Sequence, residues 1–209
     1  MNHPPIGVEQ LRYTETEFIV HIFHLAHVTT VVTASAAEAS MWVNDFLSAY
    51  NNDNNHDEGP TRFLVGLDAK WSPDYGIAVL QLCVDRRCLI FQIVRCGAIP
   101  DALSDFLCDT RFTFTGVRIH DNVRRLILDY DVSVANVMDL RTLFVVERER
   151  VRLRHKELGL GTAILMWRAR NLRSVELENW EAERLSMDQI RYACMDAFIP
   201  FEVARRVFG

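Results

Sequence analysis

Three stretches of this sequence carry side chains whose type and spacing suit the holding of a cation. In Leu64-Val65-Gly66-Leu67-Asp68-Ala69-Lys70-Trp71 an apolar run ends in an acid. A carboxylate there suits a cation-binding cleft, and it also suits the capping of a turn. In Gly116-Val117-Arg118-Ile119-His120-Asp121-Asn122-Val123 a second apolar run gives way to helical spacing at an acid. That acid reads as a ligand or as an ordinary helix N-cap. In Ser186-Met187-Asp188-Gln189-Ile190-Arg191-Tyr192-Ala193-Cys194-Met195-Asp196, Tyr192 and Asp196 stand four apart and share one helix face. Asp196 is surrounded by Ala193, Cys194, Met195, Ala197 and Phe198. An acid in that setting requires a partner, either a metal or the phenol of Tyr192.

The elements that must position these residues follow from hydrophobic periodicity. Phe18–Phe23 and Val28–Val32 are Val-, Ile- and Thr-rich strands, closed into a hairpin by His24 to His27. Ser35 and Glu38 open a helix to Tyr50 as a capping box. The polar run Asn51 to Pro60 is a loop. Strands are expected at Phe63–Asp68, Ile77–Val84, Cys88–Val94 and Phe112–Val117, and a short apolar run at Val137-Met138. Helices are expected at Ile99–Leu107 (Pro100 in the first turn), His120–Tyr130, Leu140–Arg150, Leu158–Arg170 and Ser186–Phe208, the last opened by a Ser186/Gln189 capping box. The alternation predicts an α/β fold with one mixed sheet, partly antiparallel, and an N-terminal β-hairpin. Residues 1–16 read as a flexible lead-in and 17–209 as one domain.

Taken together, the three stretches resemble the DEDDy branch of the DnaQ-like 3'-5' exonucleases, and more narrowly the Werner-syndrome-type exonuclease domains of plants. The segments RCLIFQI, TFTGVRIHDNVRRL, VMDLRTL, NWEAERLS and QIRYACMDAF carry the resemblance, which runs from about Glu17 to Phe208. It implies an RNase H-like fold, a mixed sheet flanked by helices. It also implies Asp-x-Glu on the first strand of that sheet, an Asp at a helix start and Tyr-x-x-x-Asp on a late helix. In the family the four acids hold two Mg²⁺ or Mn²⁺ ions and the tyrosine orients the attacking water. By this resemblance Asp68, Tyr192 and Asp196 are the catalytic positions, with Asp68 and Asp196 as metal ligands.

Two of the four acids are replaced. Lys70 stands where the family has Glu, and Asn122 where it has the second Asp. Asp68, Asp196 and Lys70 together bear a formal charge of −1. A charge reversal at about 4 Å is worth on the order of several kcal/mol at intermediate dielectric. Asp121 is an inadequate substitute for the missing Asp, because adjacent helical positions point about 100° apart. The expectation is a nucleic-acid-binding domain with a degraded two-metal site, weak or inactive as a nuclease, that holds no metal or holds it weakly. The alternative is a residually active, metal-dependent 3'-5' exonuclease on DNA or RNA ends, using Asp68, Asp196 and Tyr192.

Weak binding of DNA or RNA 3' ends is expected from Arg124, Arg125, Arg168 and Arg170, and a basic stretch from Arg148 to Lys156 adds to them. The net charge of −5 excludes a uniformly basic coat and leaves room only for a local basic groove. A homo-oligomer or a protein partner fits a chain that has kept the fold for binding. His21, His24 and His27 recur every three residues across the hairpin, where strand geometry does not bring all three to one metal. The five cysteines lack CxxC spacing and read as buried free thiols. The absence of a charged-then-apolar leader or an 18-residue apolar run points to no membrane span and a nuclear or cytoplasmic location.

Overall fold

The computed structural model describes residues 6–11, 14–22, 26–53, 63–141 and 179–208. Eight strands form one sheet in the order β1-β2-β3-β6-β5-β4-β7-β8. They are β1 (Ile6–Gln10), β2 (Glu17–Ile22), β3 (Ala26–Thr33), β4 (Phe63–Ser72), β5 (Gly76–Val84), β6 (Arg87–Phe91), β7 (Phe112–Gly116) and β8 (Asn136–Asp139). The described helices are α1 (Ala36–Asp53), α2 (Ile93–Cys96), α3 (Asp101–Cys108), α4 (Ile119–Tyr130) and α5 (Met187–Phe208).

Strands β4, β5 and β6 pair antiparallel, and β7 and β8 follow parallel on the other side of β4. This is the RNase H-like sheet. The turn-linked strands β4-β5-β6 need only short connections, which Gly76 and Asp85 supply at positive φ. The parallel strands take helical crossovers instead. The antiparallel meander β1-β2-β3 joins the β6 edge through a parallel β3–β6 pair.

All nine residues of β5 are buried, Gln81 among them, as a strand in the middle of a two-sided sheet requires. On one face α5 packs Ala193, Phe198 and Phe201 against the sheet. On the other, Phe46 of α1, Phe106 of α3 and Phe112 of β7 meet at ring separations of 4.9 to 5.7 Å. Each buried aromatic or aliphatic side chain of this kind contributes about 1.5–3 kcal/mol over its exposed state.

The sequence reading differs from the structure at four places. Ala26 and His27, placed in the hairpin link, begin β3 and pair with Ile22 and His21. Ile6–Gln10, placed in the loose lead-in, is an edge strand, with Val8 facing the core opposite Val20. Strand β4 does not end at Asp68. It pairs with β5 as far as Ser72 through an irregularity between Lys70 and Trp71, so Asp68 and Lys70 lie two apart on one strand. Strand β6 ends at Phe91, and Ile93–Cys96 turns into helix closed by Gly97 in the left-handed conformation. Residues 142–150 of the helix expected over Leu140–Arg150, and all of the one expected over Leu158–Arg170, lie outside the described residues, as do Arg168 and Arg170.

The packing of α5 on β4 depends on Gly66. A Cβ there would stand 1.8 Å from the Ala197 carbonyl oxygen, so only glycine allows the helix backbone so close to the strand. Gly66→Ala is expected to destabilise the domain by about 1–3 kcal/mol or more, the cost of overpacking against backbone. Urea unfolding checks this: the midpoint falls while the m-value holds.

Candidate functional site

Helix α5 opens with a complete capping box. The Gln189 N–H donates to Ser186 Oγ at 3.1 Å and the Ser186 N–H donates to Gln189 Oε1 at 2.9 Å. From that fixed start, the close approach at Gly66 brings Asp196 beside β4. Helix α4 is fixed at both ends. At its start the buried Asp139, at the end of β8, accepts the Arg118 N–H at 3.3 Å and pairs with the Arg141 guanidinium at 2.7 Å. At its far end Asp129 accepts the Ile77 N–H at 3.0 Å, and the Tyr130 hydroxyl donates to the Ile77 carbonyl at 2.9 Å. Gly76 holds φ 76, which favours glycine, and a Cβ there would also displace the Asp129 carboxylate 2.2 Å away. Asn122, about two turns before Asp129 and Tyr130 on the same face, is thereby turned toward β4.

These constraints bring the sequence-predicted residues of three elements together in one cleft of about 420 Å³. Lys70 Nζ donates to Asp68 Oδ2 at 2.6 Å and also to Asp196 Oδ2. The Lys70 side chain is 7% exposed and that of Asp196 1%, so this ion cluster is withdrawn from solvent. Asn122 Nδ2 donates to Asp68 Oδ1 at 2.9 Å, and Asn122 Oδ1 accepts the Trp71 indole N–H at 3.2 Å. Asp121 sits at the rim and pairs with Arg118 at 3.0 Å, while Asn122 makes the contact with Asp68.

Tyr192 is buried beneath the cluster. Its ring centre lies 4.6 Å from Lys70 Nζ, and that of Trp180 lies 5.8 Å from it. The two rings present their negative faces to the ammonium and add to its stabilisation. Of the candidate phosphate contacts, Arg124 is exposed on α4. Arg125 lies over the half-exposed Trp71 ring at 5.5 Å. Trp71 and Trp180 both line the cleft, and Trp180 is at the same time a buried member of the core under α5. The role of Asp139 was missed, although an acid ending the short apolar run Val137-Met138 was its signal.

Two outcomes follow from this geometry. Lys70→Met leaves the buried Asp196 and the part-buried Asp68 without their shared cation and is expected to cost about 3–5 kcal/mol. Adding Asp68→Asn and Asp196→Asn removes the uncompensated charge and is expected to return most of that loss, as read by urea unfolding. The second concerns Asp139. Burial pushes its carboxyl up, but the hydrogen bonds and charge of Arg141 and the Arg118 N–H outweigh this and hold it below the ordinary range. A depressed carboxyl stabilises above its unfolded value and loses that stability as pH falls through the folded one. Asp139→Asn is therefore expected to lower stability at neutral pH and to flatten its acid limb, measured as melting temperature against pH.

No family model matches the chain. A 3'-5' exonuclease of Arabidopsis thaliana is 31% identical over 157 residues, which is 70% of this chain and 52% of that protein. Exonuclease 3'-5' domain-containing protein 2 of Drosophila melanogaster is 30% identical over 158 residues, 69% of this chain and 25% of that protein. The bifunctional 3'-5' exonuclease/ATP-dependent helicase WRN of Mus musculus is 29% identical over 142 residues, 65% of this chain and 10% of that protein. The chain thus spans about half the length of the first relative and smaller shares of the others. A crystal structure of the EXD2 exonuclease domain soaked in Mn and Mg covers 86% of this chain and 89% of its own, with 24% identity and a TM-score of 0.49. The similarity to these relatives supports a DnaQ-like 3'-5' exonuclease domain in this chain.

Proposed function

We propose that this chain is a nucleic-acid-binding member of the family in which a lysine-centred ion cluster replaces the two-metal site, leaving it weak or inactive as a nuclease. The observation that carries the reading is Lys70 Nζ bonded to both Asp68 and Asp196. Two divalent ions bring four positive charges and call for several carboxylate oxygens. The donors here are two carboxylates, the amide of Asn122 and an ammonium that already holds an oxygen of each carboxylate. That set does not fit a pair of Mg²⁺ or Mn²⁺ ions. Lys70 supplies one fixed positive charge where the family places exchangeable ones.

What the cleft keeps is suited to binding. Trp71 offers a half-exposed indole, and Arg118, Arg124 and Arg125 stand on or beside the α4 side of the opening. An aromatic platform with guanidinium groups beside it suits the bases and phosphates of a single-stranded DNA or RNA 3' end. Arg168 and Arg170 are further candidates for the same track. Association with a protein partner or a second copy fits a domain kept for its surface.

The test is an exonuclease assay with Mn²⁺ and Mg²⁺ on 3'-recessed DNA and single-stranded RNA. The wild type is expected to match Asp68→Ala/Asp196→Ala. Activity that disappears in this double variant would instead establish a working site built on Asp68, Asp196 and Tyr192. Lys70→Glu/Asn122→Asp is expected to bind Mn²⁺ in calorimetry where the wild type does not. Binding is read separately by fluorescence anisotropy with single-stranded DNA. Arg124→Glu/Arg125→Glu is expected to weaken it and to reduce the salt slope by roughly 0.7 for each phosphate no longer neutralised.

A further inference from the structure

We propose that His21 and His27 form a binding site for a late first-row transition-metal cation, Cu²⁺ or Zn²⁺, on the outer face of the β1-β2-β3 meander and apart from the cleft. The two residues are direct register partners on antiparallel strands. Their Nδ1 atoms converge to 2.6 Å, with the rings edge to face at a centroid separation of 4.7 Å. His21 is 37% exposed in its side chain, and His27 is exposed. Their neighbours Val20, Ile22, Ala26 and Val28 turn inward into the core, so the strands are held while the imidazoles face solvent.

Two features favour a metal over an ordinary histidine contact. At 2.6 Å one Nδ1 donates its N–H and the other accepts through a lone pair, so at least one lone pair already points at the shared space. A cation takes the place of that single proton, and the imidazole that carried it stays neutral by taking up a proton from solvent at Nε2, with no net release. Binding at about 2.0–2.1 Å from each nitrogen requires the pair to open by less than about 1 Å, within the freedom of exposed side chains. Behind His21, the Glu9 carboxylate lies 3.8 Å from Nε2. A carboxylate on the outer nitrogen favours the tautomer whose Nδ1 is free to ligate. The register partner of His21 on β1 is Gly7, which adds no side chain over the site.

Imidazole donors select copper, zinc or nickel over magnesium, which separates this site chemically from the one the family places in the cleft. Among the described residues no third His, Cys, Asp or Glu completes a metal-binding group. The site pins β2 to β3 near the hairpin end, so its occupancy stabilises the folded chain.

The probe is Cu²⁺, followed by electron paramagnetic resonance and by thermal melting. The wild type is expected to bind one equivalent with a two-nitrogen signature and a raised melting temperature. His21→Asn and His27→Asn are each expected to lose that signature and that shift while melting normally without metal. Glu9→Gln is expected to weaken binding by about ten-fold or more. Excess Mg²⁺ is expected to leave the signal in place. An unchanged signature in His21→Asn/His27→Asn, or no stoichiometric Cu²⁺ binding by the wild type, would overturn the assignment.

Discussion

Everything in the cleft rests on how closely α5 lies on β4. The strand carries Asp68 and Lys70, and the helix carries Asp196, 126 residues beyond Lys70. No local preference brings such groups together. The contact exists because Gly66 lets the backbone at Ala197 settle onto the strand, and because burial of an apolar face of α5 offsets the cost of the approach. Once the layers are that close, the buried Asp196 and the part-buried Asp68 stand near one another, and a positive charge between them becomes a structural requirement. In this chain Lys70 meets that requirement.

The second helix of the cleft obeys a different logic. Helix α4 is held by polar contacts at its two ends, Asp139 with Arg118 at the start and Asp129 with Tyr130 at the finish. These contacts fix its rotation, and rotation decides whether Asn122 or Asp121 meets Asp68. Arg118 adopts a left-handed backbone at φ 57, a conformation that non-glycine residues reach only where neighbours enforce it. The Asp139 carboxylate bonded to its N–H is one such neighbour.

Much of this was legible in the sequence. Periodicity located the described helices from Ser35, Ile99, His120 and Ser186 and the sheet strands to within a few residues, because their apolar patterns are strong and their caps explicit. The motif residues Asp68, Lys70, Asn122 and Asp196 fall together as their order implied. The errors had physical causes. β1 contributes one inward valine and little pattern, so its strand character comes from pairing with β2. The continuation of β4 past Asp68 depends on its hairpin partner β5. The His21–His27 pair was hidden for a related reason. Their spacing of six says nothing by itself, and only the hairpin register makes them neighbours.

The Lys70 cluster also changes what the fold asks of its surroundings. In a centre cross-linked by bound ions, the two layers would depend on a diffusible component that a chelator withdraws. Here the bridging cation is part of the polypeptide. It arrives with the chain, forms its contacts as the layers close, and cannot be lost to solvent by exchange. On the proposed reading, assembly of this core is uncoupled from the supply of free divalent ions, and the cross-link lasts as long as the fold does.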